Sequence, residues 1–492
     1  MAKKKKMNVL FILPDDQGPW AMGCAGNDEI QTPNLDRLAR EGRRFENFFC
    51  ASPVCSPARA SILTGHIPSY HGVCDWIRSG SVDRELMEKK GVKNPYGGYV
   101  DEEKPIRYLD GMRCYSDVLH DNGYNLALSG KWHLGDSMSP QHGFERWYTI
   151  GKGGAYYFHP DIIENGEIGI VNDYVTDLFT EKAMSYMDEM QKEDKPFYMS
   201  VHYTAPHSPW EADQHKEEDI ALYKDCPFKS VPDVPDHPNT TEAPVYGTPA
   251  RGEHLRGYFA AVTAMDRCVG KLLDYLDAHD LSDHTIVFFM ADNGMNMGHH
   301  GVWGKGNGTF PQNMYEESVK VPFLVRIPGE EHPGEVVSQM ASQLDFYPTL
   351  LELLGLEDQV TEALPRHSFA SLLEGETRDK PEIRGEVFIC EEYGPVRMLR
   401  NPRYKYVHRY PYGPHEFYDL QEDPGEERNL IDDPAQQSRI LEMRQKLERW
   451  YLRYSDPKRD ASKEGVTGLG QLGRIGPEGQ KLVHFKPRKA RS

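Results

Sequence analysis

The chain has 492 residues, 38% of them hydrophobic and 27% charged, so core area does not limit folding. This length allows about three ordinary domains, or one large α/β domain with insertions and a smaller domain. The formal net charge of -19 excludes a general attraction to nucleic acid or to an anionic membrane, and it would repel polyanions at long range. A site for anions therefore has to be built locally from Arg, Lys, His or a metal.

The N-terminal residues combine a lysine run with a short apolar segment. Lysines occupy positions 3–6, and the apolar residues 9–13 are too few for the core of an export signal and end at Pro14. We expect a buried first strand and, as the sequence stands, a cytoplasmic protein. A leader removed beforehand would leave the same sequence in a periplasmic or secreted protein. No other stretch approaches transmembrane length.

The central part of the chain alternates strand-like and helix-like patterns. Apolar runs of strand length lie at residues 9–13, 124–129, 197–202, 285–290 and 322–327. Helical patterns lie at residues 33–41, 173–190 and 255–278. This alternation predicts a largely parallel sheet that helices cover on both faces.

A different pattern begins near residue 380. Short segments rich in Tyr, Val and Arg predict a small antiparallel sheet at residues 386–390, 395–400, 403–409 and 416–419. A helix is predicted at residues 434–454. We therefore predict a large α/β domain at residues 1–380 and a C-terminal subdomain at residues 381–492. The tail from Ser455 carries no assignable pattern, and residues 79–107 and 214–252 are interpreted as surface insertions.

The eight cysteines form no Cys-x-x-Cys pair. This spacing argues against a zinc ribbon or a thioredoxin-like site. So few cysteines in so long a chain also argue against a disulfide framework, which favours a reducing compartment.

Carboxylates and an amide follow two of the predicted strands. Asp15 and Asp16 follow the first strand, and Asp292 and Asn293 follow the strand at residues 285–290. Ligands of open α/β sheets bind at the carboxyl ends of strands, and two adjacent carboxylates repel each other unless a cation lies between them. An oxygen-only set of this kind suits Ca²⁺ or Mg²⁺ and suits zinc poorly. Each segment alone is equally consistent with an ordinary turn at a strand end.

The segment from Cys55 to Gly65 predicts a helix that begins next to a reactive residue type. Ser56 is a plausible N-cap, Pro57 occupies the first turn, and Gly65 follows the helix end. Cys55 then lies at a helix N-terminus, where amide N–H groups favour anions, so we expect a lowered pKa for its thiol. Arg59 lies one turn further and can reach back to it. The alternative is a buried structural cysteine before a helix.

Cationic side chains follow further strands and loops of the predicted sheet. They are Lys131 and His133 after residues 124–129, His207 after residues 197–202, and Lys305 beyond Asp292. Together they would form an anion-binding cage opposite the metal. A single Lys or His in a loop is usually only solvated, but several such loops at one sheet edge are less easily explained in that way.

In these motifs the chain resembles the formylglycine-dependent (type I) sulfatases of the alkaline phosphatase superfamily. The Cys-x-Pro-x-Arg core at Cys55, Pro57 and Arg59 looks like the family signature. The resemblance covers nearly the whole chain, through Asp15-Asp16, Thr32-Pro33-Asn34, Gly130-Lys131-Trp132-His133, Ala205-Pro206-His207, Asp292-Asn293-Gly294, Gly304-Lys305-Gly306, Tyr315-Glu316-Glu317-Ser318 and Phe417-Tyr418-Asp419-Leu420. The chain departs from the pattern at Ala58, where many members carry Ser or Thr, and at an insert at residues 307–313 that adds polar groups near the pocket.

The resemblance implies an alkaline-phosphatase-like α/β sandwich with a small C-terminal subdomain built on an antiparallel sheet. It also implies that a maturation enzyme, of the formylglycine-generating or radical type, converts Cys55 to formylglycine. One Ca²⁺ would be held by Asp15, Asp16, Asp292, Asn293 and modified residue 55. The sulfate pocket would be lined by Arg59, Lys131, His133, His207 and Lys305.

The implied chemistry follows from the nature of sulfate esters. Their anionic oxygens shield the sulfur, so a divalent cation and several positive side chains are needed to offset charge in the transition state. In this family the hydrated aldehyde attacks sulfur through one hydroxyl, and the other hydroxyl loses its proton, here to His133, to expel sulfate. His207 or Lys305 would protonate the leaving alcohol, while Arg59 and Lys131 would mainly hold charge in place.

The expected substrate is a sulfated mono- or oligosaccharide, with no nucleic-acid or membrane partner. Six side chains next to the motifs could contact sugar, although each is equally consistent with a core position: Trp76, Arg78, Trp210, His299, His300 and Trp303. Two alternatives stay open. One is a phosphonate or phosphate ester hydrolase of the same superfamily, and the other is an inactive relative that binds sulfated glycans without releasing sulfate.

Overall fold

The computed structural model describes residues 6–91, 101–360, 365, 367–375, 377, 380, 383–391, 395–463 and 470–476. The strands in chain order are β1 (Asn8–Ile12), β2 (Arg43–Phe45), β3 (Phe48–Phe49), β4 (Asn125–Gly130), β5 (Arg146–Ile150), β6 (Asp161–Glu164), β7 (Glu167–Ile170), β8 (Phe197–His202), β9 (Thr285–Met290), β10 (Phe323–Arg326), β11 (Glu335–Val337), β12 (Ala341–Ser342), β13 (Val387–Glu391), β14 (Val396–Arg400), β15 (Tyr404–Arg409) and β16 (Glu416–Asp419). The α-helices are α1 (Pro33–Glu41), α2 (Cys55–Thr64), α3 (Pro68–His71), α4 (Arg84–Lys90), α5 (Tyr115–Asp121), α6 (Val175–Met190), α7 (Glu217–Leu222), α8 (Ala250–Ala278), α9 (Glu316–Val319), α10 (Phe346–Leu353) and α11 (Gln437–Tyr454).

A ten-stranded sheet organises the chain, with the strand order β11-β2-β10-β9-β1-β8-β4-β5-β6-β7. The five central strands β9, β1, β8, β4 and β5 run parallel to one another. Antiparallel pairing joins β10 to β9 on one side and β6 to β5 on the other. The prediction of a largely parallel α/β sheet is confirmed, and the strand at residues 322–327 is one of its antiparallel members.

Both faces of the central strands are buried, which explains their continuous apolar sequences. In β1, Val9 and Phe11 join the core that contains α2, α5 and α10, while Leu10 and Ile12 join the core that contains α1, α6 and α8. Successive side chains of a strand point to opposite faces, so a strand covered on both sides carries apolar residues on both faces. All five predicted strands are present with bounds within one residue of those expected.

The helices were predicted less accurately at their ends. The first helix ends at Glu41 with Gly42 beyond it, as predicted, but α8 begins at Ala250, five residues before the expected start. The helix after the Cys-x-Pro-x-Arg motif begins at Cys55 with Val54 as N-cap, so the prediction of Ser56 as N-cap is wrong. The Ser56 hydroxyl instead accepts a hydrogen bond from the backbone N–H of Ile77 at 3.0 Å.

A second sheet, β13-β14-β15-β16, is antiparallel throughout, as predicted. One of its faces packs on α11 through a cluster that includes Phe388, Leu399 and Leu447. The other face, with Ile389 and Met398, joins the core of the large sheet. The division at residue 380 therefore stays a prediction. None of the helices in the described part of the chain combines the length and apolar character that crossing a bilayer requires.

The two segments interpreted as surface insertions both contain buried residues. Tyr223, Phe228, Val231 and Val245 pack against α8, and Val82 and Met87 pack beside β6 and β7. That interpretation is wrong for these parts. Each segment is polar over most of its length but contains a few apolar side chains that pack into the core. Residues 92–100 of the first segment lie outside the described residues.

Candidate active site

The carboxyl ends of four neighbouring parallel strands meet at one edge of the large sheet. In the spatial order β9-β1-β8-β4, the segments that follow these strands carry Asp292 and Asn293, Asp15 and Asp16, His207, and Lys131 and His133. The start of α2 adds Cys55 and Arg59, and the loop beyond Asp292 adds Lys305. The structure thus brings together every residue that the sequence assigned to the metal and to the anion cage.

Three buried carboxylates form the centre of this site. Asp15, Asp16 and Asp292 each place an oxygen within 4.8 Å of the others. Each accepts a hydrogen bond from a different buried cation: Asp15 from Lys131, Asp16 from Lys305, and Asp292 from Arg59. Each of these three predicted metal ligands therefore forms an ion pair with one of the predicted sulfate-binding cations.

Two oxygen atoms at this centre lack a hydrogen-bond partner among the described residues. They are Asp15 Oδ1 and Asn293 Oδ1, both buried. The Asn293 amide nitrogen donates to Asp16 Oδ1 at 2.7 Å and to Gly294 O at 2.8 Å, which fixes its orientation. Buried polar atoms are rarely left unpaired, because each costs about 1–3 kcal/mol. Two orphaned oxygens beside three carboxylates fit a hard divalent cation such as Ca²⁺.

The acid cluster has unequal proton affinities. Burial and the neighbouring Asp15 carboxylate raise the pKa of Asp292 to about 7. Burial alone would raise the pKa of Asp15, but Lys131 and His207 outweigh it and hold that pKa well below the usual range. A divalent cation among these oxygens would favour the ionised form of all three acids, so metal binding is expected to release a proton.

Cys55 is buried at the first turn of α2, with 3% of its surface exposed. Its Sγ lies 3.3 Å from His133 Nδ1. Burial raises the pKa of the Cys55 thiol even though Lys131 and Lys305 lie close by, so the prediction of a lowered pKa is wrong. The unmodified residue is therefore a poor nucleophile. Conversion to formylglycine would replace this sulfur by an oxygen. The position of Sγ therefore approximates the position of that oxygen.

His133 is held in one tautomer by the backbone. Its Nε2 lies 2.9 Å from the carbonyl oxygen of Ile77, which can only accept, so Nε2 carries the hydrogen and Nδ1 faces Cys55 as an acceptor. Burial and Lys131 lower the pKa of His133 well below its usual range, which keeps the ring neutral. Its φ of 55° is in the left-handed region, and such strained residues cluster at functional sites. A Cβ on Gly153 would lie 2.2 Å from the ring, so only glycine fits beneath it.

The cations of the cage have distinct environments. Arg59 Nη1 donates to the backbone oxygen of Lys131 at 2.9 Å, while its buried Nη2 has no partner among the described residues. Burial disfavours the charged form of Lys305, but Asp16 outweighs it and raises the pKa of Lys305 well above the usual range. Burial lowers the pKa of His207, whose Nδ1 donates to Ser208 O at 2.7 Å and whose Nε2 lies 3.7 Å from Asp16 Oδ2.

The site opens into a cleft of about 1160 Å³. Its floor contains Asp16, Cys55, His133, His207 and Lys305, and its walls include the aromatic side chains of Trp76, Tyr156, Trp210 and Trp303. Three exposed carboxylates, called here the acidic rim, also line it: Glu211, Asp213 and Glu242. The wall cations are matched by acids, since Arg78 Nε lies 2.7 Å from Asp101 and Lys152 Nζ lies 3.5 Å from Glu102. A cationic floor is thus surrounded by a negative entrance.

Four of the six candidate sugar contacts line this cleft, namely Trp76, Arg78, Trp210 and Trp303. His299 and His300 do not, so that part of the prediction is wrong. The His299 ring packs at 5.1 Å from Trp20, and the His300 ring stacks at 3.8 Å on Tyr315. The polar insert at residues 307–313 does reach the site: Asn307 lines the cleft, and Asn313 donates to Lys305 O at 2.9 Å.

Sequence reasoning missed several residues of the site. Lys152, Gly153 and Tyr156 follow β5, which is the parallel neighbour of β4, so the strand-end rule would have identified them had β5 been recognised. Gln343 donates to the backbone oxygens of Ala291 at 2.9 Å and Asp292 at 2.7 Å, and nothing in the local sequence signals this role.

Two family models match the chain. One, described as Sulfatase, covers residues 7–356, and the other, described as N-sulphoglucosamine sulphohydrolase, C-terminal, covers residues 298–452. The chain is 27% identical to an N-acetylglucosamine-6-O-sulfatase from Bacteroides thetaiotaomicron, over 95% of this chain and 90% of the relative. It is 29% identical to an ulvan-active sulfatase from Formosa agariphila, over 90% and 80% respectively. A crystal structure from Bacteroides fragilis, of a protein proposed to be a sulfatase, superimposes with a TM-score of 0.75 at 26% identity, over 94% of this chain and 99% of that chain.

Proposed function

The chain belongs to the sulfatase family and is a sulfuric ester hydrolase, and from this premise we propose that it removes sulfate from a sulfated carbohydrate. The reaction would use formylglycine at position 55 and one Ca²⁺. One observation carries the proposal: three buried carboxylates are paired with three buried cations beside Cys55, and the pair of Asp16 and Lys305 lines the cleft together with Cys55.

The ligands proposed for Ca²⁺ are Asp15, Asp16, Asp292, Asn293 and the modified residue 55. Support comes from the orphaned oxygens of Asp15 and Asn293 and from a donor set made of oxygen alone. A bound Ca²⁺ supplies positive charge that offsets the charge of the sulfate oxygens. Formylglycine supplies, once hydrated, a hydroxyl nucleophile that an ordinary cysteine does not have.

The remaining residues have different roles in the reaction: one accepts a proton, two bind the sulfate oxygens, and one donates a proton. Because Nε2 of His133 is committed to Ile77 O, its Nδ1 accepts the proton of a hydroxyl at position 55. Arg59 and Lys131 would hold the sulfate oxygens, and the unpartnered Nη2 of Arg59 would be one of the donors. His207 or Lys305 protonates the alcohol that leaves, since both line the cleft floor.

The side chains that line the cleft favour a carbohydrate substrate that carries few charged groups besides the reacting sulfate. Aromatic walls suit the apolar faces of sugar rings, as in many ligand clefts. The acidic rim disfavours a second anionic group near the entrance. The similarity to an N-acetylglucosamine-6-O-sulfatase is consistent with such a substrate. We therefore propose a sulfated amino sugar or neutral sugar, free or at the end of an oligosaccharide.

Maturation requires a partner enzyme of the formylglycine-generating or radical type. Cys55 is almost fully buried, and its Sγ contacts His133. A maturation enzyme therefore has to reach residue 55 before α2 packs into the core, so we propose that conversion precedes completion of the fold.

The test is release of inorganic sulfate from a panel of mono- and disaccharides, each carrying sulfate at one defined position. The protein is co-expressed with a maturation enzyme, and conversion of Cys55 is verified by peptide mass. Release from a panel member should be lost in Cys55→Ala and retained in Cys24→Ala, which changes a partly buried cysteine away from the cleft. Fully converted protein that releases no sulfate from any sugar, but hydrolyses a phosphonate or phosphodiester, would refute the proposal.

A further inference from the structure

A short C-terminal segment, residues 470–476, lies against residues 72–78 and is called here the C-terminal strap. Gln471 forms a parallel bridge with Ile77 and is fully buried. Its backbone N–H donates to Trp76 O at 2.8 Å, and its carbonyl accepts from the Arg78 N–H at 2.8 Å. The strap thus adds one strand-like residue beside a segment that precedes it by almost four hundred positions.

The side chain of Gln471 uses all of its polar atoms on backbone groups. Its Oε1 accepts from the Cys74 N–H at 2.8 Å, and its Nε2 donates to Gly72 O and Gly473 O, both at 2.9 Å. Gly470 adds a hydrogen bond from its N–H to Asp75 Oδ2 at 3.1 Å. Such a saturated, buried amide holds its partners in one arrangement.

The segment that Gln471 holds reaches the reacting groups from its other side. The Ile77 N–H donates to Ser56 Oγ at 3.0 Å, next to Cys55. The Ile77 carbonyl accepts from His133 Nε2 at 2.9 Å, and this contact sets the tautomer and the direction of the ring. Three residues of the same segment, Trp76, Ile77 and Arg78, line the cleft.

The contact between the strap and the cleft wall is also close. Gly470 has a φ of +96° and lies so near the Trp76 ring that a Cβ would approach it to 2.7 Å. The strap therefore supports the rear face of Trp76 while the front of the segment faces substrate. No residue of the strap itself lines the cleft among the described residues.

We propose that Gln471 is a positioning residue for ester hydrolysis: it fixes residues 74–78 so that Ile77 O holds His133 with Nδ1 toward residue 55. The inference goes beyond the proposed function, because it requires only that the chain hydrolyses sulfate esters and not that the ester is a carbohydrate. Loss of the Gln471 contacts lets the Ile77 carbonyl shift, and the His133 ring shifts with it. Displacements of about 1 Å in catalytic groups lower rates by ~100-fold, so the turnover number should fall substantially.

The decisive comparison is Gln471→Met against Gln339→Met. Gln339 is also a buried glutamine whose Nε2 donates to two backbone carbonyls, Thr377 O at 2.8 Å and Lys380 O at 3.1 Å, but it lies away from the cleft. Both variants lose a buried amide of the same size, with three side-chain hydrogen bonds lost at Gln471 and two at Gln339. Full-length, fully converted protein is assayed with 4-nitrophenyl sulfate, and amide hydrogen exchange is followed in peptides covering residues 72–78.

We expect Gln471→Met to lower kcat at least tenfold relative to Gln339→Met and to speed exchange across residues 72–78. A kcat within twofold of the Gln339→Met value, or unchanged exchange, would overturn the proposal. If Gln471→Met does not fold, Gln471→Asn and Gln339→Asn are compared by the same criteria. If converted wild-type protein hydrolyses no sulfate ester, the proposed function fails, and exchange across residues 72–78 alone decides whether Gln471 holds the segment.

Discussion

Arg59 donates a hydrogen bond from Nε to Asp292 Oδ2 at 2.8 Å, and both side chains are buried. The pair joins a cation assigned to the sulfate pocket to a carboxylate assigned to the metal. A second bond from Nη1 to Lys131 O fixes the plane of the guanidinium, and Nη2 lacks a partner among the described residues. One side chain therefore aligns the two halves of the centre.

Arg59→Lys should be far more damaging to activity than its charge conservation suggests. A lysine offers a point charge and cannot make the bond to Asp292, the bond to Lys131 O and an anion contact together. We expect kcat/KM for a sulfate ester to fall about 100-fold or more, as for loss of a preorganised donor. The control is Arg43→Lys, since Arg43 is also buried and bonds Glu330 and the Leu372 carbonyl far from the cleft. Equal activity losses in both variants, at equal conversion of Cys55, would contradict this role.

Calcium removal should lower both activity and stability. Without a cation the orphaned oxygens of Asp15 and Asn293 stay unpaired, so the ion stabilises the folded state in proportion to its occupancy. At a hundredfold excess over Kd the gain is about 2.7 kcal/mol. Chelated protein should show a lower Tm and no sulfate release, and Ca²⁺ should restore both. Asn293→Ala should abolish the rise in Tm, whereas a rise that persists in this variant would place the ion elsewhere.

The strand-end residues could be predicted because their signal is local. Runs such as residues 197–202 and 285–290 are mostly apolar on both faces, which marks strands buried on both faces, and parallel strands must deliver their following residues to one edge. Asp15, His207 and Asp292 were therefore placed together without knowledge of the strand order. The order itself, and the antiparallel direction of β10, came only from the structure.

Other features depend on contacts between distant residues and leave no local signal. The pKa of Cys55 is raised because the core closes over the helix start, while the sequence shows only the helix. His299 and His300 lie next to a site motif, yet they pack on Trp20 and Tyr315 rather than facing the cleft. Proximity in sequence to a motif therefore predicted side-chain direction poorly.

His71 provides a test of buried neutral histidines. Burial, with smaller contributions from His66 and Arg459, lowers the pKa of His71 well below its usual range. Its Nδ1 accepts from the Val73 N–H at 3.1 Å, so a proton there would face another hydrogen. Below about pH 6.5 the unfolded chain binds this proton and the native chain does not, so native stability contributed by this group falls as pH falls, by up to ~1.4 kcal/mol per unit.

The loss of stability caused by His71→Gln should therefore become smaller as the pH falls. At pH 7.5 the variant should be less stable than wild type, and the difference should shrink steadily between pH 6.5 and 5. Urea unfolding across this range measures the difference, and the exposed His120→Gln serves as control. A difference that is independent of pH would show that the pKa of His71 is the same in the native protein and in the unfolded chain.

The acidic rim should act as a charge filter. Two unit charges about 9 Å apart in water, such as a rim carboxylate and a second sulfate group, repel each other by ~0.5 kcal/mol. Removing one rim charge should therefore change the rate by about twofold. Glu211→Gln combined with Glu242→Gln should raise kcat/KM for a disulfated sugar relative to its monosulfated counterpart by about fourfold, and added salt should reduce this gain. Glu217→Gln, an exposed change on α7 away from the cleft, should leave the ratio unaltered. An unchanged ratio in the double variant would remove the rim from specificity.

His207 and Lys305 can be assigned different roles by changing the leaving group. The Nδ1–H of His207 is committed to Ser208 O, so Nε2 carries a proton to donate only when the ring is an imidazolium, which Asp15 and Asp16 favour and burial opposes. Asp16 and the other acids raise the pKa of Lys305 against the effect of burial, so its ammonium keeps its proton and acts through charge. We predict that His207 acts as the general acid in this charged form and that Lys305 acts as a fixed positive charge.

A sugar alcohol must be protonated as it leaves, whereas 4-nitrophenolate leaves without a proton. His207→Gln should therefore lose about 10²–10⁴-fold in kcat on a sugar sulfate but little on 4-nitrophenyl sulfate, which is the range expected for removing a general acid. Lys305→Met should lose activity on both esters, because charge develops on the sulfate oxygens with either leaving group. Parallel losses on the two esters in His207→Gln would assign His207 to binding, and a selective loss on the sugar in Lys305→Met would transfer the proton-donor role to Lys305.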